Sequence, residues 1–287
     1  MTTPEPRVPA VLSIAGSDSG GGAGIQADLK AFAACGVHGM TAITAITAQS
    51  TVGVDAVGAV DPELMLAQVR AVQRDIGVDA VKIGMLGTAE TIAAVERALD
   101  ELDPGTPIVL DPVMVAESGA ELLVPEARIA LVERLLPRVT VATPNLPEAR
   151  AIVASAEAAR SLLRDADPAG LDAPDLARAI HALGPRCVVV TGGHRDTATD
   201  AFFDGEVLVE IPGERFPDGA AHGSGCTHSS VLAAHLAHGF APLDAARAAK
   251  AAAARAVRDG LREIGRGAGP VDVLGIRAWR PRPSDGT

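Results

Sequence analysis

The stretch DAVKIGMLGTAETIAAVERALDELDPGTPIVLDPV, residues 79–113, contains a complete strand–helix–strand pattern. It begins with DAVKIGM (79–85) and ends with PIVLDPV (107–113), two short aliphatic runs typical of strands buried on both faces. Between them, Thr88 provides an N-cap for the amphipathic segment AETIAAVERALDEL. Two strands joined by a helix in this way form a right-handed crossover and run parallel in one sheet.

The same alternation extends through the rest of the chain. Further strand-like runs are VPAVLSIAG (8–16), VHGMTAITAIT (37–47), VTVATP (139–144) and CVVVTG (187–192). Helix start signals stand at Asp61-Pro62-Glu63 and Pro125-Glu126, and FFDGEVLVEIPGE (202–214) predicts a hairpin that turns at Asp204-Gly205. The pattern predicts one α/β domain with a mainly parallel central sheet, helices on both faces, and a ligand beyond the carboxyl ends of the strands.

Composition excludes several classes of partner. The 287 residues carry a formal net charge of −11, which argues against a surface for nucleic acid or anionic membrane. Cys35, Cys187 and Cys226 are odd in number and far apart, so a secreted disulfide framework is not expected. We find no targeting segment or membrane span and expect a cytoplasmic protein, with a disordered tail at 281–287.

The glycine-rich segment SDSGGGAGIQADLK (17–30) follows the first predicted strand. No lysine follows a glycine in this chain, which excludes a P-loop. Gly22, Gly24 and Ala27 match the dinucleotide-binding spacing, but the second strand ends in Thr47-Ala48-Gln49 without the acidic residue that would hold a ribose. A flexible turn is the remaining alternative. Four glycines among five residues favour close approach of the backbone to a ligand instead.

A second glycine-rich segment, AHGSGCTHSS (221–230), precedes an alanine-rich helix. Gly223 and Gly225 allow backbone amides to converge at the first turn, where the helix dipole favours an anion. A thiol at this position is expected to have a lowered pKa, so Cys226 is a candidate base or nucleophile. Cys35 and Cys187 are interpreted as small buried residues.

The segment TPNLPEA (143–149) allows two interpretations. Asn145 and Glu148 stand three residues apart at a helix start, where they could order water around Mg²⁺ or form a capping pair. The spacing alone does not choose between them. Asp111, at the end of another strand, could add a second carboxylate. His235 and His238 lack a partnered glutamate motif and do not predict a zinc site.

Nine motifs in order carry a resemblance to a known family. They are Gly16-x-Asp18, GGAGIQADLK, TAQST, KIGML, DPVM, TPNLPEA, TGGH, HGSGCT and GRGAGPV. Together they resemble the hydroxymethylpyrimidine/phosphomethylpyrimidine kinases of thiamine biosynthesis, over most of the chain. The resemblance implies a ribokinase-like domain at 8–280, ATP and Mg²⁺ as cofactors, a small pyrimidine as substrate, two successive phosphorylations and a homodimer.

The resemblance also assigns roles to individual residues. Residues implied to surround the pyrimidine are Gly16, Asp28, Gln49, Met85 and Val113. Residues implied to bind the nucleotide are Asn145, Thr191, Gly193 and Ser224. Cys226 would be the catalytic base, in the anion cradle formed with Gly223 and Gly225, while Glu148 and Asp111 would serve Mg²⁺. The loop at 17–24 would face the substrate and its growing phosphate.

Some positions depart from the family pattern. Thr191 stands where members often carry a lysine before Gly-Gly-His, and residues 216–221 replace a usual Asn-Thr-rich approach to the cradle; Ser224 replaces a threonine. These departures keep two alternatives open. One is a pyridoxal or pyridoxine kinase on the same scaffold, and the other is a pyrimidine-binding protein that has lost phosphoryl transfer.

Overall fold

A mainly parallel sheet forms the centre of the computed structural model, which describes residues 7–116, 119, 122–156, 167–193, 198–217 and 219–280. Within these residues eight strands follow the order β10-β9-β8-β7-β6-β5-β1-β2, and β3 pairs with β4 apart from them. The strands are β1 (Ala10–Ala15), β2 (His38–Ile43), β3 (Ala45–Ser50), β4 (Gly53–Ala59), β5 (Ala80–Ile83), β6 (Ile108–Leu110), β7 (Val141–Ala142), β8 (Cys187–Val190), β9 (Asp200–Phe203) and β10 (Leu208–Ile211).

Strands β2, β1, β5, β6, β7 and β8 run parallel, and β9 is antiparallel to both of its neighbours. The β9–β10 hairpin confirms the predicted turn near Asp204-Gly205. The chain builds outward from β1 to β2 on one side and from β1 to β5 on the other. Such a reversal of strand order opens a crevice at the carboxyl ends of the strands, which is where ligands bind in open α/β sheets.

Helices cover both faces of the sheet. They are α1 (Gly24–Ala34), α2 (Pro62–Asp75), α3 (Ala89–Leu99), α4 (Pro125–Ala130), α5 (Leu146–Ser155), α6 (Ala173–His181), α7 (Ser224–Ala237) and α8 (Pro242–Arg258), with a π-turn at Leu131–Leu135 and 3-10 turns at Leu136–Arg138, Pro168–Gly170 and Ile276–Ala278. The alternation of side chains along β1 shows the two layers. Leu12 and Ile14 pack with α2 to α6, while Val11 packs with α1, α7 and α8. The predicted fold class is therefore confirmed.

The predicted second strand (37–47) is wrong in its extent. Its first part is β2, which ends at Ile43, and its last residues belong to β3, in a different sheet. Thr44 marks the break: it is buried, its backbone amide donates to Ala15 O, and its hydroxyl donates to Met85 O. This side-chain bond holds the chain where it leaves the sheet, and Gln49 consequently lies on the β3–β4 hairpin.

Two further points concern the ends of the prediction. The disordered tail expected at 281–287 lies outside the described residues, and the domain bounds 8–280 stay a prediction. Among the helices that the structure describes, none has both the length and the apolar character needed to span a bilayer.

Candidate active site

A cavity of about 450 Å³ opens beyond the carboxyl ends of the parallel strands. The strand ends contribute Gly16 after β1, Met85 after β5, Asp111 after β6, Asn145 after β7 and Thr191 after β8. The opposite wall is formed by the start of α7, the middle of α8 and residues 214–217. The sequence therefore predicted the correct edge of the sheet, because parallel strands bring their carboxyl ends together.

The cavity is lined by four of the five residues assigned to the pyrimidine: Gly16, Gln49, Met85 and Val113. A Cβ on Gly16 would come within 2.3 Å of Met85 Cε, so the glycine allows this methionine to lie against the wall. Ser19 holds Gln49 by accepting a hydrogen bond from its backbone amide at 2.8 Å and donating one to its carbonyl at 2.7 Å. The backbone that carries this amide side chain is thus fixed at both of its polar groups.

Asp28 corrects the prediction of direct contact with the pyrimidine. It is fully buried and does not line the cavity; its carboxylate accepts hydrogen bonds from Ser13 Oγ at 2.6 Å, Ser230 Oγ at 2.7 Å and Lys82 Nζ at 2.9 Å. All its oxygen atoms are engaged below the cavity floor. Asp28 therefore acts on the site indirectly, by its ion pair with Lys82 and by its charge.

Lys82 is a site residue that the sequence interpretation missed. It is fully buried on β5 and lines the cavity floor. Burial alone would lower the pKa of its ammonium, but the negative charge of Asp28, followed by Cys226 and Asp111, outweighs burial and raises it. A lysine inside the otherwise aliphatic run DAVKIGM was the available signal, because a charge buried in a strand needs a partner.

The loop after β1 also differs from its prediction. The Asp18 carboxylate accepts hydrogen bonds from the amides of Gly20, Gly22 and Ala23 at 2.8–3.0 Å, and it pairs with His222 Nε2 at 2.8 Å. Burial opposes ionisation of Asp18, but His222 and these amides outweigh it and lower its pKa. The amides expected to serve a substrate phosphate are therefore occupied by the loop's own carboxylate.

The second glycine-rich segment begins helix α7 at the cavity wall. Gly223 is the N-cap of α7 in the left-handed conformation, with φ at 83°; the Ser224 amide donates to Ala221 O at 3.0 Å, and no side chain among the described residues caps the helix. Its Cβ would lie 1.8 Å from Gly22 O, so the two glycine-rich segments are packed directly against each other. Gly223, Ser224, Gly225 and Cys226 all line the cavity. This arrangement agrees with an anion site at a helix N-terminus.

The expected acidity of Cys226 is wrong. Burial, together with the carboxylates of Asp28 and Asp111, raises the pKa of its thiol to about 12, against the opposing effects of Lys82 and a hydrogen bond from the Gly24 amide. Although its side chain touches the cavity, protein surrounds it on the other sides, and burial there exceeds the effect of the helix dipole. The ligand-free protein therefore holds a thiol at this position and not a thiolate.

Asn145 and Glu148 form a complete capping box. Asn145 Oδ1 accepts from the Glu148 amide, and Glu148 Oε2 accepts from the Asn145 amide, both at 2.9 Å. Glu148 nevertheless lines the cavity, where burial and then the charge of Asp111 raise its pKa to about 8. Glu148 thus has two roles: its Oε2 caps α5, and its carboxyl group lies near the charge of Asp111, which favours the protonated form.

This carboxylate pair fits the ligand chemistry of Mg²⁺. Mg²⁺ is commonly held by one or two protein carboxylates, and the remaining ligands are water and phosphate oxygens. Asp111 is likewise buried; burial raises its pKa, and Ser229 donates a hydrogen bond to its Oδ2 at 2.9 Å. Within the described part of the chain, no three His, Cys, Asp or Glu side chains form a closed metal site.

Three residues that the resemblance assigns to the nucleotide also line the cavity: Thr191, Gly193 and Ser224. Nucleotide binding by them stays a prediction. Three further residues, Asp200, His228 and Lys250, lie on the same wall and were not singled out from the sequence. They come from β9, α7 and α8, so the sequence spacing contained no local motif for them.

The family model described as phosphomethylpyrimidine kinase matches residues 18–272. The chain belongs to this family. It is 50% identical over 267 residues to a hydroxymethylpyrimidine/phosphomethylpyrimidine kinase of Rhizobium meliloti, with 91% of this chain and 95% of the relative covered. A Mycobacterium bovis protein of the same name is 41% identical over 284 residues, covering 96% and 97% of the two chains.

Solved structures place the kinase among related folds. Pyridoxal kinase from Staphylococcus aureus in complex with ADP superposes with a TM-score of 0.80 at 33% identity, covering 93% of this chain and 94% of that one. Phosphomethylpyrimidine kinase from Clostridium difficile 630 gives a TM-score of 0.69 at 38% identity, covering 85% and 96%. These similarities confirm the ribokinase-like interpretation of the fold.

Proposed function

We propose that this kinase transfers phosphoryl groups from ATP to 4-amino-5-hydroxymethyl-2-methylpyrimidine and then to its monophosphate, for thiamine biosynthesis. The observation that carries the proposal is one cavity whose lining contains two chemically different sets of groups. Gln49 and Met85 offer a polar amide and an apolar wall for a small ring, while the uncapped start of α7 offers amides for phosphate. Family membership and the named relatives support the same activity.

Cys226 lines the cavity together with both of these sets of groups. It lies in the first turn of α7, within reach of the Gly24 amide and of the positive charge of Lys82. Phosphoryl transfer depends mainly on alignment and charge neutralisation, so a base is required only to accept the proton of the alcohol. We assign that proton to the thiolate form of Cys226, which the charge of Lys82 favours; accepting the proton returns Cys226 to its thiol form.

Asp111 and Glu148 would hold Mg²⁺ in the working enzyme. When bound, the ion would neutralise charge on the phosphate oxygens. The chain's own contribution is to hold the two carboxylates close together: the capping box fixes Glu148, and Ser229 fixes Asp111. Their mutual repulsion is relieved by a cation between them, which favours binding.

Pyridoxal is the second candidate substrate. It is supported by the superposition on the S. aureus pyridoxal kinase, whose structures include one in complex with AMP-PCP and pyridoxal at a TM-score of 0.80 and 32% identity. Both compounds present a primary alcohol on an aromatic ring. The named relatives of higher identity favour the pyrimidine.

The decisive experiment is an ATP-consumption assay on the purified protein with each alcohol in turn, and with the pyrimidine monophosphate. We expect the pyrimidine to give the higher kcat/KM and its monophosphate to be consumed as well. A higher kcat/KM with pyridoxal would assign the second candidate. Binding of the pyrimidine without ATP consumption would identify a protein that has lost transfer.

We also infer a cytoplasmic homodimer. The three free cysteines agree with a reducing compartment. The β3–β4 hairpin stands apart from the central sheet and exposes Ile46 and Val57 to 59% and 54%, which gives an apolar surface for a second copy. Ile46→Glu should convert a dimer to monomer in sedimentation experiments, whereas Leu64→Glu, on α2 and 58% exposed, should not.

A further inference from the structure

The inference concerns His228, whose imidazole is buried at the cavity wall without a hydrogen-bond partner. The side chain is 5% exposed, and neither ring nitrogen is hydrogen-bonded within the described structure. A buried polar group left in this way costs free energy, because it has lost its water without gaining a replacement. Such a group at a cavity wall indicates a ligand that supplies the missing partner.

His228 lies opposite Asp200 on β9, whose carboxylate is only partly hydrogen-bonded. Its Nε2 lies 3.5 Å from Asp200 Oδ2, beyond a normal hydrogen bond, and that oxygen also has no partner in the described structure. The other oxygen of Asp200 is fully used, since it accepts from the Gly192 amide at 2.8 Å and from Lys250 Nζ at 2.5 Å. Asp200 is ionised, because His228 and Lys250 outweigh the effect of burial and lower its pKa.

The wall carries hydrogen-bond donors for an anion. Asp200 and Lys250 offset one another as an ion pair, which leaves the imidazole N–H of His228 as an additional donor beside them. Lys250 retains some contact with solvent, with 12% of its side chain exposed, so its ammonium is also available to the cavity.

The position of His228 on α7 directs the side chain toward the cradle. His228 lies four residues after Ser224, on the same face of the helix, and helical side chains tilt toward the N-terminus. Ser224 and His228 both line the cavity, so the first turn of α7 and the imidazole border the same space. An anionic group held by the helix amides would come near the histidine.

We propose that His228 is a phosphate-binding residue of the nucleotide site, which donates an imidazole N–H to a phosphate oxygen of the nucleotide held at the start of α7. The proposal rests on the proposed ATP-dependent function and adds a contact to it. Lys250, held by Asp200, provides positive charge on the same side. Phosphate binding by His228 and Lys250 does not require a lysine at position 191, so the uncharged Thr191 is compatible with it.

The test is calorimetric binding of ADP and of adenosine to wild type, His228→Leu and His228→Gln, without any turnover. Because a hydrogen bond to a charged group contributes substantially to affinity, His228→Leu should weaken ADP binding roughly 10-fold to 100-fold. Adenosine binding should not change, because adenosine has no phosphate. His228→Gln, which keeps an N–H donor, should lose less ADP affinity than His228→Leu.

His235→Leu is the matched control, since His235 lies on the same helix, bonds to Val231 O and is absent from the cavity wall. Thermal melting without ligand checks that each variant is folded. Equal ADP affinity in wild type and folded His228→Leu would overturn the proposal and leave His228 as a packing partner of Asp200. Equal losses for ADP and adenosine would also overturn it. If wild type bound no ADP, the proposed function itself would fail.

Discussion

The two glycine-rich segments of this kinase differ in what their backbone amides bind. In the loop of residues 16–24, Asp18 occupies the amides of Gly20, Gly22 and Ala23. At the start of α7, Gly223 provides no side chain, and the helix begins uncapped at the cavity wall. Glycine content alone therefore does not predict an anion site. The deciding factor is whether a nearby carboxylate of the same chain already accepts the amide hydrogens.

The glycines themselves also serve different neighbours in the two segments. In the first loop they allow close approach to other parts of the protein: a Cβ on Gly22 would lie 2.1 Å from the His222 ring, and one on Gly24 would lie 2.4 Å from Gly16 O. The sequence interpretation expected a ligand in that place. The first loop thus packs against the second segment, and the second segment forms the cavity wall.

The largest expected effect separates transfer from binding in the second segment. Cys226→Ala should reduce the first phosphorylation by ~10²–10⁴, with ADP affinity retained, because the backbone amides remain. The monophosphate is already largely ionised near pH 7, so the second phosphorylation should fall much less. Both steps would be measured with saturating MgATP. Equal losses in the two steps would reject the base assignment.

The same residue gives a pH dependence with a defined sign. Because the pKa of the Cys226 thiol is about 12, the thiolate fraction grows with pH throughout the neutral range. The first phosphorylation should therefore accelerate as the pH rises from neutral toward 9, and the acceleration should be lost in Cys226→Ala. A pH-independent difference between wild type and variant would contradict a base with a raised pKa.

The next effect compares two left-handed glycines, one in each segment. Gly223→Ala should abolish measurable ADP binding, because its Cβ would meet Gly22 O at 1.8 Å. Gly21→Ala has a similar φ of 75° but meets only Lys30 Nζ at 3.7 Å, so it should cost about 1–2 kcal/mol of stability and keep ADP binding. Calorimetry and thermal melting measure the two effects. Similar losses of binding would mean that the loops are equivalent.

A smaller effect tests whether Asp18 supports the cradle from the first loop. Asp18→Asn removes a charge that accepts three amide bonds and faces His222, so kcat/KM should fall roughly 10-fold to 100-fold. Since the pKa of Asp18 is lowered, its contribution to stability is present above its ordinary pKa of 3.8 and is lost as the pH falls below it. The melting temperatures of variant and wild type should therefore converge in acid. Asp55→Asn, on exposed β4, is the control.

The smallest effect concerns Glu148, next to the second segment. Glu148→Gln preserves the capping box, since glutamine also accepts the Asn145 amide, but it removes one charge facing Asp111. Half-maximal activity should require about 10-fold more Mg²⁺. Because the pKa of Glu148 is raised to about 8, the unfolded chain loses this proton from about pH 4.5 while the folded protein retains it, so stability falls as the pH rises through 4.5–8. Glu148→Gln should therefore melt higher than wild type at pH 8.

Glu90→Gln, at the exposed first turn of α3, controls for loss of a helix N-terminal charge. It should leave the Mg²⁺ requirement unchanged. If Glu148→Gln behaved like Glu90→Gln in the metal titration, Glu148 would be a cap and nothing more.

The sequence predicted those features that depend on local pattern. Periodicity predicted the strands, and residue type predicted that Asp61 and Thr88 cap α2 and α3. Known crossover geometry predicted the edge of the sheet at which the cavity lies. The errors involve contacts between distant residues. Asp18 meets His222 across 204 positions, and Asp28 meets Ser230 across 202. Neither carboxylate shows from its own neighbourhood which amides or hydroxyls it will occupy.

The prediction of a lowered pKa for Cys226 was wrong for a related reason. The helix dipole is a local property and can be inferred from sequence, whereas burial and the charges of Asp28, Asp111 and Lys82 around the thiol depend on the tertiary fold. The same holds for His228, whose significance depends on β9 and α8.

The buried cluster beneath the cavity has a consequence for synthesis of the chain. Ser13, Asp28 and Lys82 emerge from the ribosome early, but Ser230, which completes the cluster, belongs to α7 near the end of the chain. Helices α7 and α8 also cover much of one face of the sheet. A nascent chain that has completed the strands therefore still exposes that face and lacks a finished active site. Catalytic competence arrives with the last helices, and the growing polypeptide has to be kept from aggregating until then.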